Sequence, residues 1–330
     1  MAKMTREEYI RFQEERSKKV QLICNKISAF VPSLFTKSEY PKFLSFLAKW
    51  QHYPSLNCIL LYMQCPQATY IAGFKRWQEL AEQQGYPPSY QIIQDGQKKR
   101  GITLFIPFSQ KENIHFDRYN TVLVYNTILV FDVSQINKLA IPPDSSLYVD
   151  LQSLDVKGLL WILRGRCQMD LAICAKDSSA VEFRYTSAYL KGNQLVYNDG
   201  LSDEEAFPAI LEQYILYQVK QTGNEKESKY VDLVHRSAVY AIFSYFHLST
   251  EWISFDFISY FQKASSATLL YLIQRISEVV QVVIFEIYEG YQDYVSVFMR
   301  PKQNEWLRRL EQTYLSDEEE ESLDGFLEEV

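Results

Sequence analysis

Residues 53–85 read YPSLNCILLYMQCPQATYIAGFKRWQELAEQQG, and the placement of breakers and apolar runs in this stretch decides the organisation of the front half. Asn57 to Gln64 is a charge-free apolar run that predicts a short buried helix, closed by Pro66, which cannot continue one. Thr69 to Ala72 reads as extended. Phe74 to Glu82 predicts another helix, ending near Gly85. Upstream, residues 5–30 form an amphipathic pattern. Glu7, Glu8, Arg11, Glu14, Glu15, Lys18 and Lys19 lie on the wet side, opposite Ile10, Val20, Ile23 and Ile27. A second helix over 39–51 carries Phe43, Leu44, Leu47 and Trp50 inward, with Lys42 and Lys49 outward. Downstream, Tyr90 to Ile93 and ITLFIPF (102–108) read as the arms of a hairpin tipped by the basic loop DGQKKRG (95–101). Thr121 to Val133 is a further β-rich stretch.

The run Ile141-Pro142-Pro143-Asp144-Ser145-Ser146 is the best linker, because paired prolines stop both helices and central strands. Beyond it a helix is expected over 153–166, then strand-like runs at Asp170 to Ala175 and Val181 to Tyr185. A hairpin over 189–197 follows, turning at Gly192-Asn193, and then helices at 203–221, 227–247, 250–262 and 267–288. The chain closes on an acidic stretch. The division is therefore a domain over 1–140, a linker over 141–149, a second domain over 150–312 and a tail over 313–330. The expected class is α+β, an α/β front domain followed by a mainly helical one with a small sheet. There is no internal repeat.

Of 330 residues 47% are hydrophobic, the ratio of a globular protein, and Tyr is frequent at 24. The net charge of −7 is unevenly spread. Residues 1–140 hold 18 Lys and Arg against 11 Asp and Glu, and residues 141–330 hold 16 against 30. A basic front and an acidic back suit a nucleic-acid face on the first half only. The five cysteines are scattered and contain no CxxC pair, which suits reduced thiols and argues against both a disulfide framework and a thiolate zinc site. No secretory signal opens the chain, and apolar stretches such as Val279 to Ile287 are interrupted by charge. A cytoplasmic protein with no membrane partner is expected. No GxSxG, GxxxxGK[ST] or GxGxxG occurs.

The order Tyr53, Ser55, Asn57, Leu60, Leu61, Gln64, Pro66, Ala68, Thr69, Gly73, Phe74, Trp77 resembles the N-terminal domain of ArdC-type antirestriction proteins. That resemblance continues through Gly96, Lys98, Lys99, Gly101 and Pro107 to Phe131, Asp132, Val133 and Gln135. It implies binding of single-stranded DNA. Such binding needs cations that follow phosphates and flat side chains on which bases stack. The candidate cations are Lys42, Lys49, Lys75, Arg76, Lys98, Lys99 and Arg100; the candidate stackers are Tyr53, Tyr70 and Tyr90, with Asn57 beside them. Trp50, Phe74 and Trp77, at helical spacing, read as core.

The back half resembles the zinc-peptidase domain that follows in the same family. A hairpin precedes Leu201-Ser202-Asp203-Glu204-Glu205, which opens a helix. In that family the helix carries His-Glu-x-x-His, two imidazoles on one zinc with a Glu to activate water. The matching positions here are Leu211, Glu212, Gln213, Tyr214 and Ile215, and a third, acidic ligand falls on Arg236. The frame is kept and the ligands are lost, so no metal or other cofactor is expected. Arg236 is placed to pair with Glu212. The four histidines, His52, His115, His235 and His247, have no His or Cys partner three or four residues on.

These residues imply a non-catalytic single-strand-binding protein of a mobile element, serving antirestriction or conjugation. An acidic inhibitor or adaptor acting on a host defence nuclease or conjugation protein is the alternative. A residual hydrolase using Glu212 is the third.

Overall fold

In the computed structural model the stretch 53–85 forms a helix, a short strand and a second helix. The residues described are 6–87, 89–114, 118–137, 139, 156–170, 172–179, 181–222 and 228–298. The linker at 141–149 and the tail at 313–330 lie outside them, as does His115. The helices are α1 (Arg6–Leu34), α2 (Tyr40–Lys49), α3 (Ser55–Gln64), α4 (Phe74–Gln83), α5 (Val156–Asp170), α6 (Asp203–Thr222), α7 (Ser228–Tyr245) and α8 (Ser266–Phe298). The strands are β1 (Ile71–Gly73), β2 (Ile102–Ile114), β3 (Arg118–Asp132), β4 (Ala172–Lys176), β5 (Ala188–Lys191) and β6 (Gln194–Asn198). With two three-stranded sheets set among these helices, the class is α+β.

Two compact units emerge. The first joins Met1–Pro142 to Thr222–Gln281; the second joins Pro143–Gln221 to Val282–Val330. The change of unit after Pro142 falls at the linker, but residues 222–281 return to the first unit.

In the first unit, β3 lies between β1 and β2 in a wholly antiparallel sheet. Helix α4 stops in a Schellman turn. Gly85 takes φ +81, its N–H donates to the Glu82 carbonyl and the Tyr86 N–H to that of Ala81. Trp77, Leu80 and Ala81 on its inner face pack with Ile92, Ile93, Phe131 and Ile136. Helix α2 lies on α7, where the buried Tyr40 and Ser237 hydroxyls share a hydrogen bond of 2.8 Å and Tyr40 meets Phe255 edge-on. Ser266 of α8 donates to the Ser28 carbonyl of α1, and Gln281 donates to those of Gln51 and Tyr53. Residues 222–281 are thus built into the same core as residues 6–64.

In the second unit β6 pairs in parallel with β4 and antiparallel with β5. The β5–β6 turn is Gly192-Asn193, and Gly192 takes φ +61, which a two-residue hairpin turn of this type requires. Helix α6 begins with Asp203, Glu204 and Glu205 in the first turn, favourable against its dipole, and Glu205 reaches back to the Ser202 N–H and hydroxyl.

The structure departs from the sequence-based expectations in four places. Tyr90 to Ile93 is not a strand: Ile92 and Ile93 are both buried, where a strand would alternate, and a single bridge joins Ile93 to Ile136. Strand β2 pairs with β3 instead, from Ile102 opposite Val130 to Ile114 opposite Arg118. The β-branched and aromatic content of β3 gives β2 a far longer partner than 90–93 offers. The basic loop is accordingly an approach to β2, ending in the 3-10 turn Lys98–Arg100. Val181–Arg184 is a 3-10 turn and no strand, and 250–262 holds a 3-10 stretch at Asp256–Lys263 in place of an α-helix. Finally, α8 runs on to Phe298, and its Ser266–Tyr291 portion is long and apolar enough, by length and composition, to cross a membrane. Charge therefore does not cut this run short. Leu269, Leu272, Ile273, Ile276, Val279 and Val280 are nevertheless fully buried, and the buried Arg275 is held by Glu278 and the Thr222 hydroxyl.

Candidate nucleic-acid interface

The polar residues of the motif are consumed inside the first unit. Asn57, 6% exposed, donates from Nδ2 to the Phe105 carbonyl and accepts the Phe105 N–H at Oδ1, both at 2.8 Å. Gln64, two helical turns on, makes the same double bond to Thr103, both at 3.0 Å. Strand β2 is an edge strand. Its outward N–H and C=O groups at 103 and 105 are therefore met by two side-chain amides of α3, which stand in for the missing neighbour strand. Asn57 belongs to this fastening and not to a surface. The Trp77 indole donates to the Phe131 carbonyl at 3.0 Å. Asp132, 2% exposed, accepts from the N–H groups of Thr69, Tyr70 and Ser134 and from the Ser134 hydroxyl. Gln135 completes the set: it accepts the Asp132 N–H and donates to the Arg100 carbonyl at 2.9 Å.

The candidate cations fall into two groups. Lys42 pairs at 2.9 Å with Glu39, the N-cap residue of α2, and Arg76 pairs at 3.2 Å with Glu79 on α4. Lys49 donates to the Ala68 carbonyl at 2.9 Å and lies over the Trp50 ring. Burial lowers its pKa, against the raising effect of Asp132. These three are engaged locally. Lys75, Lys98, Lys99 and Arg100 are exposed and have no ion pair among the described residues. The sheet register brings their neighbourhoods together, because Gly73 and Ile102 both pair with Val130 from opposite sides. The turn carrying Lys98, Lys99 and Arg100 is fixed to the end of β3 by Gln135.

The candidate stackers are less available than the sequence suggests. Tyr70 meets Trp77 edge-on at 5.2 Å, and Tyr90 stacks on Tyr86 at 4.3 Å while donating to the Asn137 carbonyl. Tyr53 is half-buried beside His52 and Trp50. Phe74 is exposed, at 50%, although its spacing with Trp77 reads as core. Trp50 and Trp77 are buried as expected.

In the second unit, Leu211, Tyr214 and Ile215 are fully buried on α6. Leu211 and Ile215 have no lone pair to offer, so the side chains at these positions do not fit a metal ion. Among the described residues no cluster of three His, Cys, Asp or Glu is placed to hold one. Glu212 is half-buried, and burial pushes its pKa up. Arg236 belongs to the first unit; its Nε donates to Asp232 at 3.0 Å and its guanidinium lies over Phe257. Arg236 thus forms an ion pair along its own helix. Nor is there an activated thiol at Cys58, which donates to the Trp50 carbonyl and whose pKa burial pushes up to about 12.

Two crystal structures of the antirestriction protein ArdC from plasmid R388 are similar to this chain. The metal-free form is 13% identical, covers 75% of this chain and 87% of its own, and gives a TM-score of 0.45. The Mn(II)-bound form is also 13% identical, covers 82% of this chain and 97% of its own, and gives 0.47. No protein-family model and no curated protein matches the sequence.

Proposed function

We propose that the chain is a non-catalytic single-stranded-DNA-binding protein of a mobile genetic element, acting in the cytoplasm in antirestriction or as a conjugation accessory. The exposed cations Lys75, Lys98, Lys99 and Arg100, gathered about β3 without acidic partners among the described residues, are the observation that carries this reading. A flexible polyanion is held by such a set through the release of its counterions. The motif order from Tyr53 to Gln135 supports the same reading by its resemblance to the ArdC-type DNA-binding domain. The aliphatic residues at 211 and 215 support a non-catalytic second unit.

The test is a salt titration of the full chain against a labelled oligothymidylate. The whole chain is needed because α7 and α8 complete the core of the first unit. The logarithm of affinity is expected to fall with the logarithm of salt by about 0.7 per phosphate held, and Lys98→Ala/Lys99→Ala/Arg100→Ala should flatten that slope by about 2. A folded protein with no affinity at low salt would end the proposal, and stoichiometric zinc in the purified protein would end its non-catalytic part.

One observation favours a second reading. The second unit carries 11 Lys and Arg against 24 Asp and Glu, a surface suited to a basic partner such as the nucleic-acid channel of a nuclease. A stable complex with such a nuclease, in a protein that ignores single strands, is the result that selects it.

A further inference from the structure

The cations account for phosphates but not for bases, and the tyrosines expected to stack are packed away. Two large apolar side chains at the margin of the basic turn are not: Phe74 is 50% and Leu129 55% exposed. Their placement follows from the sheet. Gly73 and Ile102 flank Val130, two strand spacings or roughly 10 Å apart. Phe74 directly follows Gly73, and Leu129 directly precedes Val130. Leu129 shares a face of β3 with Phe131, since side chains two apart point the same way. Phe131 is covered by Trp77, Ile92, Ile93 and Ile136, whereas Leu129 is left open. Phe74, three residues before Trp77 on α4, lies on nearly the same side of that helix, at the first turn where the cover begins. Gly101 adjoins Leu129. A Cβ there would sit 3.3 Å from Leu129 and 3.2 Å from the Phe131 ring, so a larger residue would have to push these side chains back by a few tenths of an ångström.

Resting on the single-strand reading above, we infer that Phe74, with Leu129 beside it, is the platform on which a base of the unpaired strand stacks, while Lys75 and Lys98 to Arg100 hold the flanking phosphates. The Phe74 ring is half open to water. Its setting among unpaired cations selects a flat anionic ligand over an apolar peptide or a lipid. Base stacking tolerates any sequence, so the platform supplies affinity without base identity. Phe74 also precedes Lys75 in the chain, which puts a ring and a cation on consecutive residues.

The experiment compares wild-type, Phe74→Ala, Phe74→Trp and Leu129→Ala full-length proteins on an oligothymidylate and on an abasic strand of equal length. Phe74→Ala should weaken binding to the oligothymidylate about tenfold or more and to the abasic strand by less than about twofold, with an unchanged salt slope. Leu129→Ala should lose less. Phe74→Trp should keep wild-type affinity, with its added tryptophan emission quenched by bases and not by the abasic strand. If the wild-type protein binds but Phe74→Ala is unchanged, or loses equally on both strands, the platform is wrong while the single-strand reading stands. If the wild-type protein binds neither strand, both fall. Equal melting temperatures across the set keep a folding defect from imitating the expected loss.

Discussion

Glu212 keeps its carboxyl while the positions around it, Leu211, Tyr214 and Ile215, are sealed into the second unit. Burial raises its pKa, so the folded state binds a proton more readily than the unfolded chain does. A group shifted in that sense contributes its stability fully below the ordinary Glu value of about 4.3 and loses it as pH rises through the folded value. Glu212→Gln is therefore expected to raise the melting temperature at pH 7, and the gain should vanish below about pH 4, where both side chains are neutral. Calorimetry across that range decides it: a variant less stable than wild type at pH 7 would mean that the carboxylate is held by partners worth more than its burial costs. At this scale the sequence disclosed chemistry well and position poorly. That Leu211 and Ile215 cannot ligate a metal is legible from their side chains. That Arg236 turns to Asp232, four residues back on α7, depends on a rotamer choice that no pattern specifies.

Helix α3 and strand β2 form an element pair in which two amides replace a strand. Asn57 and Gln64 are seven residues apart on α3 and meet Phe105 and Thr103, two residues apart on β2, so helix and edge run side by side. Removing either amide leaves a donor and an acceptor of β2 without a partner; for the buried Asn57 site this should cost about 1–3 kcal/mol. Gln64→Ala should cost less, because its site is more exposed to water. With no shared partner the two losses should add in urea denaturation. The double variant should also scatter light on mild warming, since the bared edge can pair with another chain. A double variant with a wild-type urea midpoint would show that α3 covers the edge without fastening it. The helices of this region were legible because Pro54, Pro66 and Gly85 punctuate them in the sequence. The partner of β2 was not. Pairing 90–93 with 102–108 is the shorter closure, and the contest was decided by the length of β3, which counts only when the whole sheet is considered.

At the scale of the molecule, the charge asymmetry between the two halves of the chain is kept almost unchanged between the compact units. Met1–Pro142 and Thr222–Gln281 together hold 23 Lys and Arg against 17 Asp and Glu, which leaves the first unit basic although 222–281 is slightly acidic. The second unit is acidic; its residues 143–221 come between the two segments of the first in the chain, and 282–330 follow them. A sequence division at the proline pair therefore finds one crossing of the chain between units and misses the later ones, since α6, α7 and α8 carry no comparable breaker at residue 281. This has a consequence for any fragment that stops at the linker. Residues 1–142 alone would bare the side of α2 that α7 covers, with the fully buried Tyr40 on it, and would strand the Tyr40 hydroxyl without Ser237. Burial of side chains of this size contributes about 1.5–3 kcal/mol each. Several such losses together approach the whole stability of an ordinary domain, about 5–15 kcal/mol. The fragment is expected to bind a hydrophobic dye and to melt without a cooperative transition, whereas the full chain melts cooperatively. Calorimetry of the two proteins side by side measures this. A sharp, reversible transition in the 1–142 fragment would mean that the front segment closes its own core and that 222–281 only rests upon it.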